Sequence, residues 1–373
     1  MINPSFFYEK LKEGNIDFFV GVPDSLLKSF CAYLADNCEE NEHIIAVNEG
    51  AAVALASGYN IAANKSALVY MQNSGIGNAV NPLLSLADPE VFKIPVVLLI
   101  GWRGQPGVHD EPQHIKQGKI TLRLLETMDI PYEILSDNEN EVTKQLNTCF
   151  SFLSESSSPY ALVVRKDVFA PYSLKSIKME EPGLMTREEA IEEIVKASKK
   201  DEIFFSTTGM ASRELYELRD KYKMDHSHDF LTVGSMGHVS HIALSVALQK
   251  PDSGVTVVDG DGAALMHMGA IATIGVKKPI KFKHIVINNA AHDSVGGQPT
   301  IAQNINLCDV AVACGYKYAR RVKLKTELLD VLLQEKASPS FIEIFVKKGA
   351  RKNLGRPKVK PIENKMELMK RFM

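Results

Sequence analysis

Val257-Val258-Asp259-Gly260-Asp261-Gly262-Ala263-Ala264 reads as a buried strand that breaks at a Gly-Asp-Gly turn and resumes as a helix. β-Branched residues favour the strand, the glycines admit a tight turn, and the alanines favour the helix. The next apolar run, Ile285-Val286-Ile287, ends in a second polar turn, Asn288-Asn289-Ala290-Ala291. Strand, helix and strand in that order form the crossover unit of a parallel sheet, which returns both strand ends to one edge. Ligands of open parallel sheets bind at that edge. The pattern therefore places Asp261 beside the Asn-Asn pair. A carboxylate, an amide oxygen and a backbone carbonyl suit a hard cation such as Mg²⁺, whose shell is completed by water and phosphate oxygens. The bare glycines leave N–H groups at the helix start open to phosphate. The stretch predicts a metal-bridged diphosphate site.

The same alternation extends in both directions. Towards the N-terminus, a helix over residues 3–14 precedes a strand at Phe18-Phe19-Val20-Gly21, which runs into Pro23-Asp24. A helical pattern over Ser25 to Leu34 and a strand at Ile44 to Val47 follow, the strand ending at Asn48-Glu49-Gly50. Ala51 to Ala63 is a small-residue helix, and Ala67 to Met71 a strand opening onto the polar turn Gln72 to Asn78. Val96 to Gly101 is a strand followed by a loop from Trp102 to His114, with later strands at Tyr132 to Leu135 and Tyr160 to Arg165. The polar stretch 175–185, carrying Pro182-Gly183, reads as a linker, and Thr186-Arg187-Glu188-Glu189 starts a helix with a capping box. Strands at Ile203 to Ser206, Leu231 to Val233, Val255 to Asp259, Ile285 to Asn289 and Ser340 to Val346 complete the second half. The fold class is α/β: two doubly wound parallel-sheet domains, 1–174 and 186–373, joined by the 175–185 linker.

Composition narrows the class. A chain of 373 residues with 45% hydrophobic and 24% charged content has material for two cores, and its formal charge of -2 argues against nucleic acid as a partner. The basic tail from Lys347 to Arg356 reads as a solvated end. No apolar run reaches about 18 residues, so no membrane span is expected. Met1 to Ser5 lacks the charged and apolar regions of a signal peptide. The five cysteines show no CxxC spacing, which fits buried free thiols in a reducing cytoplasm.

Gly260-Asp261-Gly262 followed by Asn288-Asn289, each at a strand end, resembles the diphosphate motif of thiamine-diphosphate-dependent enzymes. Asn48-Glu49-Gly50-Ala51-Ala52 resembles the pyrimidine-domain motif of the same family. The resemblance implies that 1–174 is a pyrimidine-binding and 186–373 a diphosphate-binding domain, with thiamine diphosphate and Mg²⁺ as cofactors. It implies that Glu49 bonds a ring nitrogen of the aminopyrimidine and drives the proton transfer that activates the cofactor. Gly234-Ser235-Met236-Gly237 resembles the segment that bends the cofactor, with Met236 as wedge and the Gly234 carbonyl on the amino group. Thr208-Gly209-Met210 is similar to a diphosphate-binding turn, alongside Gly260, Gly262 and Ala263. The implied metal ligands are the side chains of Asp261 and Asn289 and the carbonyl of Ala291, with Asn288 orienting the turn. In this family the cofactor lies at a subunit interface, so a homo-oligomer is implied.

The family's usual decarboxylases carry a middle domain that this chain lacks. Gly21-Val22-Pro23-Asp24-Ser25, Gly101 to Gly104 with Gly107 to His114, and Asn288 to Thr300 resemble a shortened branch acting on keto acids that bear a phosphonate or sulfonate. The implied reaction is loss of CO₂ from 3-phosphonopyruvate to give phosphonoacetaldehyde, a step of phosphonate biosynthesis. Sulfopyruvate is the alternative substrate; a non-catalytic cofactor-binding subunit is a further alternative, but it would leave Glu49 without a purpose. Asp24, His109 and His114 are the candidate acids and bases. Relatives carry two adjacent histidines in this loop, whereas His109 and His114 are separated. Ser25, Arg103, Arg213 and His292 are the candidate substrate ligands, Arg because its fork suits an oxyanion. Arg213 has an alternative use in pairing with Glu214 or Glu217, and Gly296-Gly297 is a candidate cover for the site.

Overall fold

Six strands of the first half form one parallel sheet: β1 (Phe19–Gly21), β2 (His43–Ile45), β3 (Ala67–Gln72), β4 (Val96–Gly101), β5 (Tyr132–Ile134) and β6 (Tyr160–Val164), in the order β2-β1-β3-β4-β6-β5. Six more form a second: β7 (Ile203–Ser206), β8 (Asp229–Leu231), β9 (Val255–Gly260), β10 (Phe282–Asn288), β11 (Tyr318–Val322) and β12 (Ser340–Phe345), in the order β11-β12-β10-β9-β7-β8. Read from its β8 edge, the second sheet takes its strands in the same sequence as the first. The two halves thus share a topology without a legible sequence repeat. This computed structural model describes residues 1–175, 181–334 and 336–373. Of the expected 175–185 linker, residues 176–180 lie outside the described residues. The chain divides into two compact units, Met1–Ile177 with Val295–Gln298, and Lys178–Ser294 with Pro299–Met373.

The apolar runs become strands because both sheet faces are covered by helices. In β4 successive side chains alternate between two cores. Val97 and Leu99 pack with Phe19, Leu68 and Tyr70, while Val96, Leu98 and Ile100 pack with Val69 and Met71. In each sheet the strand order reverses beside its first strand, between β1 and β3 and between β7 and β9. Those switch points open a crevice at the carboxyl ends of the strands.

Several boundaries differ from expectation. β2 stops at Ile45, and Glu49 is the first residue of the helix Glu49–Ala63, whose N-cap Asn48 accepts the Ala51 N–H through Oδ1 at 2.8 Å. His114 lies in the helix Pro112–Thr127 instead of in a loop, because Pro112 starts that helix two residues earlier. β8 sits two residues before its expected place. β11 was not read at all. Its Arg320-Arg321 pair hides the strand pattern, and as an edge strand it tolerates them, with Arg321 stacked on the Phe345 ring. All five cysteines are free, and Cys31, Cys149 and Cys308 are buried. Among the described residues no helix is long and apolar enough to cross a membrane.

Leu99 is 0% exposed at the centre of β4, so Leu99→Ala is expected to lower the stability of the first unit by about 2–5 kcal/mol. Ile61 is 74% exposed, and Ile61→Ala is expected to change it by less than about 0.5 kcal/mol. The denaturant midpoint of the two variants checks both.

Candidate active site

In the second unit the functional turns leave four neighbouring strands on one edge. Thr208-Gly209-Met210 follows β7, Gly234 to Gly237 follows β8, Gly260-Asp261-Gly262 ends β9, and Asn289 follows β10. Parallel pairing sets Gly260 opposite Ile287, which carries Asp261 and the Asn-Asn turn past the sheet together. Gly209 has φ +95 and open space where a Cβ would stand, and the helix Met210–Lys221 behind it has no side-chain cap. The helix Asp261–Met266 is likewise uncapped. Neither helix start has an N-cap side chain, although the Gly262 N–H turns to the Asp261 carboxyl, and first-turn N–H groups of this kind suit phosphate oxygens. Gly262 is the close-approach position: a Cβ there would lie 3.1 Å from the His292 ring and 3.3 Å from Met236 Cε. Met236, Gly262 and His292 therefore meet. Burial pushes the His292 imidazole down to about 4.

Asp261 is buried, and its Oδ2 accepts a short hydrogen bond from Thr300. Burial pushes its carboxyl up to about 7, with Asp293 acting in the same direction, against the lowering pull of Thr300 and the Gly262 N–H. A buried carboxylate in that position is stabilised by a bound cation. Among the described residues no group of three His, Cys, Asp or Glu side chains is arranged around a metal. The expected set of one carboxylate, one amide and one carbonyl does not require such a group. It leaves room for phosphate and water, as Mg²⁺ prefers. The residues present fit both the diphosphate and the cation.

The Asn-Asn turn is fixed by charges that the sequence did not reveal. Asn288 Nδ2 donates to the buried Glu343 at 2.8 Å, and its Oδ1 accepts the Ala290 N–H at 3.0 Å. Glu343 is held in turn by Arg321 Nε at 3.0 Å. Asn289 Nδ2 donates to Asp293 Oδ2 at 2.7 Å, and Asn289 Oδ1 accepts the Ala291 N–H at 3.1 Å. Arg187 joins this turn to the helix behind β7. Its Nη1 reaches Asp293 at 3.0 Å, and its Nε and Nη2 clasp Glu214 at 2.7 and 3.0 Å. Arg187 was legible only as part of a capping box.

The first unit repeats the arrangement with different chemistry. Asp24 follows β1, Glu49 follows β2, Asn73 follows β3 and Arg103 follows β4. Glu49 is buried and accepts Asn78 Nδ2 at 2.7 Å. Burial raises its carboxyl pKa, and the Asn78 bond opposes the rise. Gly75 is needed beside it, since a Cβ there would overlap the carboxyl group. Asp24 is fully buried, with Oδ1 accepting the Leu26 N–H at 2.9 Å. Burial raises it too, against that N–H and Arg103. Arg103 donates to Ser25 Oγ at 2.8 Å and forks onto Asp110.

The remaining predicted residues separate clearly. His109 is exposed on its loop, whereas His114 is buried with Nδ1 unpartnered, its imidazole pushed down by burial and then by Arg103. The two are therefore not equivalent. Arg213 is part-buried on the helix Met210–Lys221; of the acids beside it, Glu214 pairs with Arg187 and Glu217 with Arg351. Ala291 is buried at the turn.

Comparison with known proteins matches each half of the chain to a domain family. Residues 5–122 match the family described as "Thiamine pyrophosphate enzyme, N-terminal TPP binding domain", and residues 207–344 match "Thiamine pyrophosphate enzyme, C-terminal TPP binding domain". The chain belongs to the thiamine pyrophosphate enzymes. It is similar to the phosphonopyruvate decarboxylase of Streptomyces viridochromogenes, with 34% identity over 92% of this chain and 88% of the relative. The phosphonopyruvate decarboxylase of Streptomyces hygroscopicus is 32% identical over 97% and 92%. The sulfopyruvate decarboxylase of Methanosarcina acetivorans is 29% identical over 91% and 90%.

Arg187 and Glu214 are 7% and 1% exposed, so Arg187→Met strands a buried carboxylate and is expected to cost about 3–5 kcal/mol. The double variant Arg187→Met with Glu214→Met is expected to recover much of that stability. It still leaves Asp293 without its guanidinium, so thiamine diphosphate affinity stays weakened. Denaturation and calorimetric titration of thiamine diphosphate with Mg²⁺ separate the two effects.

Proposed function

We propose that this chain decarboxylates 3-phosphonopyruvate to phosphonoacetaldehyde and CO₂, using thiamine diphosphate and Mg²⁺. The observation that carries the reading is Glu49: a buried carboxyl of raised pKa at a strand edge, which a protein that merely bound the cofactor would not need. The substrate rests on the near full-length likeness to two phosphonopyruvate decarboxylases. Sulfopyruvate is the second reading, favoured by the likeness to the Methanosarcina enzyme.

Thiamine diphosphate, when bound, supplies the thiazolium that takes up the electrons left behind as CO₂ departs. Asp261, Asn289 and the Ala291 carbonyl would hold Mg²⁺, and Thr208, Gly209 and Met210 with the Gly260 to Ala263 turn would hold the diphosphate. Gly234 and Met236 would set the cofactor's bend. Glu49 would hold the proton shared with a ring nitrogen of the aminopyrimidine. Asp24, whose carboxyl pKa burial raises, would supply the proton for the carbon that has lost CO₂, and His114 or His109 would handle the proton on the product oxygen. Ser25 and Arg103 bind the phosphonate; Arg213 and His292 are candidates for the substrate's other polar groups. We further infer a homo-oligomer sharing the cofactor between subunits, a cytoplasmic location and a place in phosphonate biosynthesis.

CO₂ release from phosphonopyruvate is expected to require both thiamine diphosphate and Mg²⁺. Faster turnover of sulfopyruvate overturns the substrate choice.

Glu49→Gln is expected to lower turnover by about a hundredfold or more while cofactor binding, read by calorimetry, is largely kept. The same variant should not lose stability at neutral pH. A carboxyl whose folded pKa is raised is favoured below its unfolded pKa, and stability falls as pH rises towards the folded pKa. Gln removes that penalty, so the melting temperature above this window should hold or rise. Retained full activity would remove Glu49 from the proton path.

A further inference from the structure

Four donors converge on one carboxylate in the first unit, that of Asp110. Arg103 gives Nε to Oδ2 at 2.8 Å and Nη2 to Oδ1 at 2.5 Å. The Gly104 N–H reaches Oδ2 at 2.8 Å, and the Glu111 N–H reaches Oδ1 at 2.7 Å. The remaining guanidinium nitrogen, Nη1, donates to Ser25 Oγ. A guanidinium fork, backbone N–H groups and a hydroxyl are the donor set of an oxyanion seat. Here the seat is filled by the chain itself.

Donors and acceptor stand on different footings. Arg103 follows β4 directly, and Asn73 grips its backbone from both sides, donating from Nδ2 to its carbonyl at 2.8 Å and accepting its N–H at 3.2 Å. Gly104 has φ +70 and presses on the His114 carbonyl so closely that a Cβ would overlap it. Asp110 arrives from the other direction, at the end of a loop exposed from Pro106 to His109, where Gly107 has φ +84 and open space around it. The pair is partly open to water, with side chains 22% and 12% exposed. Burial would raise the Asp110 carboxyl, but Arg103 and the two N–H groups outweigh it and hold it well below the usual carboxylate range. Asp110 is therefore held in the seat as an anion.

We propose that Asp110 is an internal occupant of the phosphonate seat, and that the substrate's phosphonate displaces it from Arg103 and Gly104, releasing the 105–110 loop. The proposal rests on the reading that the substrate carries a phosphonate. The displacement selects for charge. A dianion with three oxygens engages the fork, the Gly104 N–H and Ser25 together, whereas a keto acid without a second strong anion does not dislodge a carboxylate already held four times. A sulfonate offers the same shape with half the charge. Asp110 is thus a specificity-determining residue, and Arg103 and Ser25 are the groups it shields.

Hydrogen exchange of the holoenzyme tests this with 3-phosphonopropionate, which keeps the two anionic ends and lacks the reacting carbonyl. The wild type is expected to exchange faster over 105–111 when the probe is bound. Asp110→Asn should exchange fast there without the probe and bind it about fivefold tighter or more, while Arg103→Lys binds it about tenfold more weakly or worse. A loop that is unchanged or slowed by the probe in the wild type overturns the proposal, as does an Asp110→Asn variant that folds with wild-type melting and binds no tighter. Running 3-sulfopropionate in parallel keeps the two claims apart. If the sulfonate opens the loop better, the displaced-carboxylate device stands and the phosphonate reading falls. If neither opens it while phosphonopyruvate is turned over, the substrate reading stands and the device falls.

Discussion

The parallel pairing of β9 with β10 is the constraint on which the second unit's chemistry depends. Val258 lies opposite Ile285 and Gly260 opposite Ile287, so the strands end within a residue or two of each other. A slip of one residue would turn every side chain of β10 to the other face and move the Asn-Asn turn away from Asp261. The register is locked because both strands are buried on both faces. The same constraint operates in the first unit, where β1 against β3 brings Asp24 and Asn73 to one edge. A single topology, used twice, thus yields two strand-end edges with different residues on them.

Precision at those edges is supplied by buried charge. Arg187, Glu214, Asp293 and Asn289 form one connected set, and Arg321, Glu343 and Asn288 another. Burying ion pairs is a poor way to gain stability, because desolvation offsets most of the attraction. What such a set gives is orientation. An amide whose Nδ2 is committed to a carboxylate presents its oxygen in one direction, here towards the Ala290 N–H for Asn288 and the Ala291 N–H for Asn289. Two adjacent asparagines are held by two separate networks, which keeps the turn from pivoting about either one.

The fold was legible because parallel strands buried on both faces write themselves as unbroken apolar runs, as in Val96 to Gly101 and Ile203 to Ser206. β11 escaped because an edge strand obeys a weaker rule, and its two arginines look like a loop. Glu49, Asp261 and Met236 stood out as candidates because each sits in a short motif beside glycine, and Asn289 because an Asn-Asn pair closes an apolar strand. Their supports did not. Arg187 and Glu214 are 27 residues apart and Asn288 and Glu343 are 55 apart, and no local pattern joins them. His114 was expected at the end of the Trp102 to His114 loop and lies in a helix instead, because Pro112 stands at that helix's first turn. Asp110 was read only as one letter of a loop, and its meaning appears when Arg103 is seen to point at it.

On the proposed function the two units would bind anions in opposite ways, and the difference would follow from how long each anion stays. In the second unit the helix after Gly209 begins uncapped, with glycine rather than a side chain at its mouth. Orphan N–H groups left open in this way are a standing cost that a resident diphosphate removes once and for long. In the first unit the Arg103 and Gly104 donors are closed by Asp110, so under the displacement proposed above they would stay satisfied between one ligand and the next. A site that empties at every turnover gains from such a stand-in: its geometry is held while it waits, and weak anions are turned away. The cost is affinity, because each incoming ligand must first displace a bound carboxylate. That cost is tolerable for a substrate held briefly and would be a poor bargain for a cofactor held for the life of the enzyme.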